Sequence, residues 1–390
     1  MKKNYDLSTR CVHAGEVRDA EGSPHTPIYN TSTFGFRSTA DLLDVVEGRR
    51  QGNLYTRYGL NPTIRSVEAK LASLENAEAA LVFASGMAAE AALFFTHGRE
   101  GIVCLGNAYG GTLALLTDQL PLVGIPTTLL LGDEVGKLEE VLKEGQSLVF
   151  FETPTNPTME IFDIKEIGRL SHTYGALVAV DNTFASPINQ QVLALGADIA
   201  VHSATKYLGG HSDLTGGALM GSKERIEQVA PWRKNLGQMM APEVAALLSR
   251  SLRTLPIRVE RQNKTAQAVA EAMRNHPKVV RVLYPGLPDF PQHDLARSQM
   301  SGFGGMLTVE IDGSDKDATK VVDSLELFII APSLGGPESL ATQPKSTTHH
   351  GLAPGERLKR GITDSMIRFS IGMEAAKDLI EDLNNALENV

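Results

Sequence analysis

Between residues 80 and 221 one pattern recurs: a short, unbroken apolar run followed by a stretch with helical spacing. The runs are Ala80–Phe83, Gly101–Leu105, Thr127–Leu131, Ser147–Phe151, Ala176–Val180, Ile199–His202 and Ala218–Gly221. Runs that do not alternate with polar residues suit strands buried on both faces. Helical stretches between such strands predict a mostly parallel sheet flanked by helices, an α/β fold. Pro62-Thr63 opens one of these stretches, Ile64–Leu74, with Ile64, Val67, Leu71 and Leu74 at the spacing of one helix face.

Outside this block the pattern changes. Pro242–Leu255 reads as a long connecting helix that Pro256 should end or kink. Helices near Thr265–His276 and Ala375–Leu387, with strands near Val279–Leu283 and Gly305–Ile311, predict a smaller α/β C-terminal domain. The first 60 or so residues scatter Pro, Gly, Ser and Thr, and only Thr39–Glu47, capped by Ser38, reads as a helix. The expected organisation is an N-terminal arm over 1–60, a main domain over 61–250 and a second domain over 251–390. The arm is a candidate to pack on a second subunit.

Charge narrows the function. Lys plus Arg total 37 against 46 Asp plus Glu, a net charge of −9. An acidic surface argues against non-specific binding to nucleic acid or to an anionic membrane. The two cysteines, Cys11 and Cys104, make no disulfide framework and lack paired zinc spacing, so no metal site is expected. The start, Met1-Lys2-Lys3-Asn4-Tyr5-Asp6, has no apolar run behind its lysines, and no stretch reaches the roughly 18 apolar residues of a membrane span. A cytoplasmic location is expected.

The most informative segment runs from Ala200 through Ser203-Ala204-Thr205-Lys206-Tyr207 to the glycine pair before His211. Lys206 follows a buried strand and sits among small hydroxyl residues. An imine-forming lysine needs such an apolar setting to lower its pKa, although a surface lysine would also fit. Ala176–Val180 leads into Asp181-Asn182-Thr183. An acid at the carboxyl end of a buried strand is placed for ligand contact, or for a helix cap. Together a lysine imine and a buried acid are what pyridoxal phosphate requires: the first holds the aldehyde and the second the proton on the ring nitrogen.

Ser85-Gly86-Met87 lies at a strand–glycine–helix junction, where free N–H groups favour a phosphate. Tyr109 follows a strand and could stack on a cofactor or simply occupy a turn. Glu152-Thr153-Pro154-Thr155-Asn156-Pro157 follows another strand, as a candidate site or a proline-ordered loop. Arg57, in Tyr55-Thr56-Arg57, could meet a phosphate or a surface carboxylate. Arg368 falls in a strand-like alternation and, if buried, needs an anion, which a substrate carboxylate or a structural acid would supply.

In combination these segments resemble the trans-sulfuration enzymes of cysteine and methionine metabolism, which are fold-type I pyridoxal phosphate enzymes. The carrying motifs are Tyr55-Thr56-Arg57 with Asn61-Pro62-Thr63, Ser85-Gly86-Met87, Tyr109-Gly110-Gly111-Thr112, Glu152 to Pro157, Asp181-Asn182-Thr183-Phe184, Ser203 to Tyr207, Ser333-Leu334-Gly335-Gly336 and Arg368. They span nearly the whole chain.

The resemblance implies that Lys206 carries the imine and shuttles substrate protons. It implies that Asp181 pairs with the pyridine nitrogen and that Tyr109 stacks on the ring and serves as acid or base. Asn156 would approach the ring hydroxyl. Gly86, Met87, Ser203 and Thr205 would bind the phosphate, with Ser85 and Thr183 completing the cofactor-binding set. Tyr55 and Arg57 would reach that phosphate from a neighbouring subunit, making the chain a dimer with shared active sites, commonly a tetramer. Arg368, Ser333 and Asn156 would bind the amino-acid substrate.

The same residues serve γ-replacement, γ-elimination and β-elimination. The C-terminal half, from Val282 to Ser333, is most similar to plant-type cystathionine γ-synthases. Leu54 and Pro332 stand where cystathionine-handling members often have acids, whereas methionine γ-lyases and acylhomoserine sulfhydrylases are apolar at the first of these positions, as this chain is. Gly111 stands where methionine γ-lyases often have cysteine. On balance the sequence favours cystathionine γ-synthase or γ-lyase chemistry over methionine γ-lyase or an O-acylhomoserine sulfhydrylase. Two other classes use related parts: a fold-type I aminotransferase, and a non-catalytic cofactor-binding module of a regulator.

Overall fold

The structure is a computed structural model that describes residues 5–347 and 349–390. Seven strands form the main sheet: β1 Ala79–Phe83, β2 Ile102–Leu105, β3 Thr127–Leu130, β4 Leu148–Glu152, β5 Leu177–Asp181, β6 Ile199–Ser203 and β7 Gly217–Gly221. Their order is β1-β7-β6-β5-β4-β2-β3. All neighbours from β3 through β6 are parallel, and β7 alone runs against both β6 and β1. Every residue of β2 and β4 is buried, as continuous apolar runs covered on both faces require.

A second sheet, ordered β10-β11-β12-β9-β8, comprises β8 Val279–Leu283, β9 Met306–Ile311, β10 Ile329–Ile330, β11 Leu340–Thr342 and β12 Met366–Ser370. β10 and β11 are too short to leave a pattern in the sequence.

The proline at 256 acts differently from the expectation. The first helix of the connection is Pro242–Leu252, and the next is Leu255–Arg274, with Pro256 in its first turn. There the missing N–H would have had no helical partner, so the residue starts a helix rather than breaking one. The helix expected from Thr265 therefore begins ten residues earlier.

The arm is also less irregular than expected. Leu7–His13 is helical with Cys11 buried, as well as Thr39–Val46. Lys70, fully buried on the helix Pro62–Leu74, donates to the Cys11 carbonyl at 2.9 Å and pairs with Glu16 at 3.0 Å. Glu16 also takes Arg253 at 2.8 Å, so the start of the chain is fastened to the connecting region. A buried amine without that partner would be costly. Among the described residues no helix is long and apolar enough to cross a membrane.

Candidate active site

A cavity of about 610 Å³ opens at the carboxyl ends of β4, β5 and β6. Ser85, Gly86, Met87 and Glu90 line one wall, Tyr109, Glu152 and Asn156 a second, and Ser333 and Arg368 a third, with Asp181, Thr183, Ser203, Thr205 and Lys206 across the floor. The structure thus gathers every site residue expected from the sequence except Tyr55 and Arg57. Those two lie on the arm. Arg57 donates to the carbonyl of Lys234 at 2.7 Å, and its guanidinium sits over the rings of Tyr55 and Tyr58 at 5.6 and 5.1 Å.

Strand register explains the floor. Asp181 is the last residue of β5 and pairs with Glu152, the last residue of β4, on one side and with Val201 of β6 on the other. Lys206 lies just past β6, in the turn after Ser203. Thr183 braces this corner: its N–H donates to Asp181 at 2.9 Å, and its hydroxyl accepts from the Ser203 N–H at 2.8 Å.

Lys206 Nζ donates to Ser333 Oγ at 2.8 Å. Burial, then the nearby Arg368 charge, lowers its amine to about 8, while Asp181 pulls the other way. A lysine with that pKa is about one-tenth free base at pH 7, far more than an ordinary lysine. Ser333 holds its place in a left-handed conformation, φ 93°. That conformation costs a non-glycine residue about 1–3 kcal/mol and is kept where the surroundings enforce it.

Those surroundings are visible. Arg368 Nη2 donates to the Ser333 carbonyl at 3.1 Å, and Nη1 donates to Asn156 Oδ1 at 2.9 Å. Arg368 is 4% exposed and makes no ion pair with any described carboxylate. Burial lowers it to about 10. A buried guanidinium held only by neutral oxygens is ready for an external anion.

The phosphate-type wall is the start of the helix Gly86–His97. Ser85 caps it by accepting from the Ala88 N–H at 3.1 Å. The N–H groups of Gly86 and Met87 find no acceptor among the described residues. Gly86 is pressed against β6, where an added Cβ would come within 3.0 Å of the Ser203 Cβ. Ser203 and Thr205 line the same cavity.

Tyr109 is anchored by its backbone: its N–H donates to Glu152 Oε1 at 2.5 Å, while the side chain stays about half exposed. The ring folds over Gly111, where a Cβ would approach it to 2.6 Å.

Two buried acids in the wall were not assigned roles from sequence. Glu152 heads its motif, and Glu90 is a lone acid in an otherwise apolar helix, which was the available signal. Burial first, and the neighbouring Asp181 second, push Glu152 well above the carboxylate range and Glu90 up to about 8. Burial also raises Asp181, against the pull of Thr183, His202 and Lys206.

Comparison with known proteins agrees with this geometry. Residues 8–388 match the family described as Cys/Met metabolism PLP-dependent enzymes. Cystathionine gamma-synthase 1, chloroplastic, of Arabidopsis thaliana is 43% identical over 388 residues, covering 97% of this chain and 68% of that protein. L-methionine gamma-lyase of Pseudomonas deceptionensis is 39% identical over 392 residues, covering 99% and 98%. Among solved structures, metB from Corynebacterium glutamicum superposes with a TM-score of 0.93 at 38% identity, covering 100% of both chains. Cystathionine gamma synthase from Xanthomonas oryzae pv. oryzae, in complex with aminoacrylate and cysteine, gives 0.92 at 36%, covering 98% of each.

Pyridoxal phosphate, the cofactor of that family, suits the residues present. The unpartnered N–H groups of Gly86 and Met87 fit a phosphate. Asp181 offers the acid for a ring nitrogen, and Lys206 the low-pKa amine for an aldehyde. With a family match over 8–388, relatives near 40% identity and a cavity built for this cofactor, the chain belongs to the pyridoxal phosphate-dependent enzymes of cysteine and methionine metabolism.

Proposed function

We propose that this enzyme makes or breaks the carbon–sulfur bond of a sulfur amino acid by cystathionine γ-synthase or γ-lyase chemistry. The observation that carries the reading is Arg368: a buried guanidinium without a carboxylate partner among the described residues, joined through Ser333 to the Lys206 amine. An α-amino acid gripped there by its carboxylate would present its α-carbon to Lys206. Bound pyridoxal phosphate supplies the aldehyde for amine exchange and an electron-accepting ring. Arg368 and Asn156 orient the substrate. Lys206, steered by Ser333, takes the α-proton and returns protons to neighbouring carbons. Asp181 holds the proton at the ring nitrogen, and Tyr109 serves as acid or base in this reading.

Gly111 supports the cystathionine reading, since the Tyr109 ring occupies the space a cysteine side chain would need. The second reading, methionine γ-lyase, draws on Pro332, which lines the cavity where an acid would grip the distal ammonium of cystathionine. A cation left without a partner in a partly desolvated pocket costs roughly 1–3 kcal/mol or more. Product analysis with methionine, cystathionine, cysteine, and acylated homoserine plus cysteine separates the readings. Leu54→Glu, in the same assays, should lower KM for cystathionine and raise it for methionine. Equal shifts for both substrates, or none, would remove Leu54 from substrate choice. A stoichiometric return of amino groups to a keto acid, instead of free ammonia or a new thioether, would mark an aminotransferase.

The working unit in this reading is a dimer with shared sites, paired further into a tetramer, in which Tyr55 and Arg57 complete the phosphate wall of a neighbouring subunit. Their exposed place on the arm, outside this chain's own cavity, supports it. Lys206→Ala and Arg57→Ala, each inactive alone, should recover about a quarter of wild-type activity after random mixing into dimers, because half of the dimers then carry one intact site. Verified hybrids without recovery would place Arg57 outside the site. Two buried, unpaired thiols suit a reducing compartment, and we assign the enzyme to the cytoplasm.

A further inference from the structure

Glu90 has no place in the chemistry above, yet it lines the cavity. It lies one helical turn from Gly86 and Met87, is 4% exposed, and forms no ion pair among the described residues. Its one hydrogen bond is from the Thr112 hydroxyl to Oε2, at 2.7 Å, which leaves Oε1 without a partner. The titratable groups that feel it are Asp181 from β5, Glu152 from β4 and Cys104 from β2. Lys206 and His202 favour the charge on Asp181, and Arg368 that on Glu152, but among the described residues no cation acts on Glu90. The helix Lys223–Asn235, packed on the outer side, turns Arg225 to Asp198 and Arg233 to Glu68. β6 turns His202 to Glu75, and β1, β7 and the helix Gly110–Ala114 carry no charged residue.

Of two adjoining buried carboxyls, the one with cations nearby ionises and the one without does not. We propose that Glu90 is a positioning residue for Asp181: it stands in the cavity wall as a neutral carboxylic acid, so that Asp181 carries the negative charge beneath the ring of the bound cofactor. Thr112 orients it by donating to the carbonyl oxygen, and the hydroxyl on Oε1 is free to donate toward the cavity. The proposal rests on the reading of this cavity as the cofactor site. Burial, which pushes Glu90 up to about 8, agrees with the geometry.

The test compares wild type with Glu90→Gln, an isostere that keeps the acceptor and the neutral state. Visible absorption of the holoenzyme and the pyridoxal phosphate dissociation constant are followed from about pH 6 to about pH 10. Below about pH 7 the two proteins should agree within about twofold. Above about pH 8 Glu90 ionises in the wild type, and its negative charge holds any proton on the lysine-linked cofactor more tightly. The neutral-pH absorption should therefore persist to higher pH in wild type than in Glu90→Gln, by roughly half a pH unit or more.

Thermal melting of the holoenzymes gives a second readout. A carboxyl raised in the folded state costs stability as pH rises from its unfolded value toward about 8. Glu90→Gln should therefore melt higher than wild type, by a margin that widens from about pH 5 to about pH 8 and then levels off.

Superimposable spectra and melting margins throughout, or cofactor binding weakened about tenfold by the glutamine already near pH 6.5, would overturn the proposal alone. Survival of the lysine-linked absorption band in Lys206→Ala would overturn the cavity assignment and this proposal with it.

Discussion

Lys206→Ala should abolish turnover, by about 10⁴-fold or more, because one change removes both the covalent anchor of the cofactor and the proton carrier. The variant should still bind pyridoxal phosphate, since the Gly86 and Met87 N–H groups, Ser203 and Thr205 remain. Its bound cofactor should lack the visible absorption of the lysine-linked form. The Ser333 hydroxyl loses its 2.8 Å donor, so an added primary amine that restores part of the rate would show that the missing group is the amine itself. Retention of activity, or of the lysine-linked absorption, would refute the assignment. Folding is not at risk, because a partly buried amine with a pKa lowered to about 8 is a cost to the folded state that alanine removes.

Asp181→Ala or Asp181→Asn should slow turnover by about 10²–10⁴-fold, the scale of losing one preorganised charge contact. The stability effect should have the opposite sign. Burial raises Asp181, so the cofactor-free folded state gives up this proton less readily than the unfolded chain does. Stability contributed by such a group falls as pH rises from its unfolded value, 3.8, through the folded one. At neutral pH the cofactor-free Asp181→Asn protein should therefore melt higher than wild type while working far more slowly. That trade-off is a mark of a group kept for chemistry. A variant that loses both stability and activity in proportion would make Asp181 a structural residue, and calorimetry alongside steady-state kinetics decides between them.

Much of the site was legible in the sequence for a local reason. Asp181 and Lys206 each sit where an unbroken apolar run stops, and in a parallel sheet covered on both faces the polar residue that ends a strand lands at the sheet's carboxyl edge. Ser85-Gly86-Met87 was legible likewise, as a strand, a glycine turn and a helix start, each set by residues close in the chain.

The pairings across the chain were not legible. Arg368 meets Asn156 across 212 positions, and Lys206 meets Ser333 across 127. Nothing in either segment's periodicity names its partner, because strand order and the seating of the second sheet against the first decide who meets whom. Pro256 shows the same limit on a small scale: proline forbids a helix interior and favours a first turn, and the neighbouring packing chose the first turn.

Motif, strand end and cofactor chemistry were therefore fixed by the amino-acid sequence itself. Only the tertiary structure decided the electrostatics. Glu90, Glu152 and Asp181 are far apart in sequence and come together because β4 and β5 end in register and the helix that carries Glu90, packed on β6, β7 and β1, borders the same cavity. A carboxyl's charge depends on what surrounds it in space, and that is settled when the layers close.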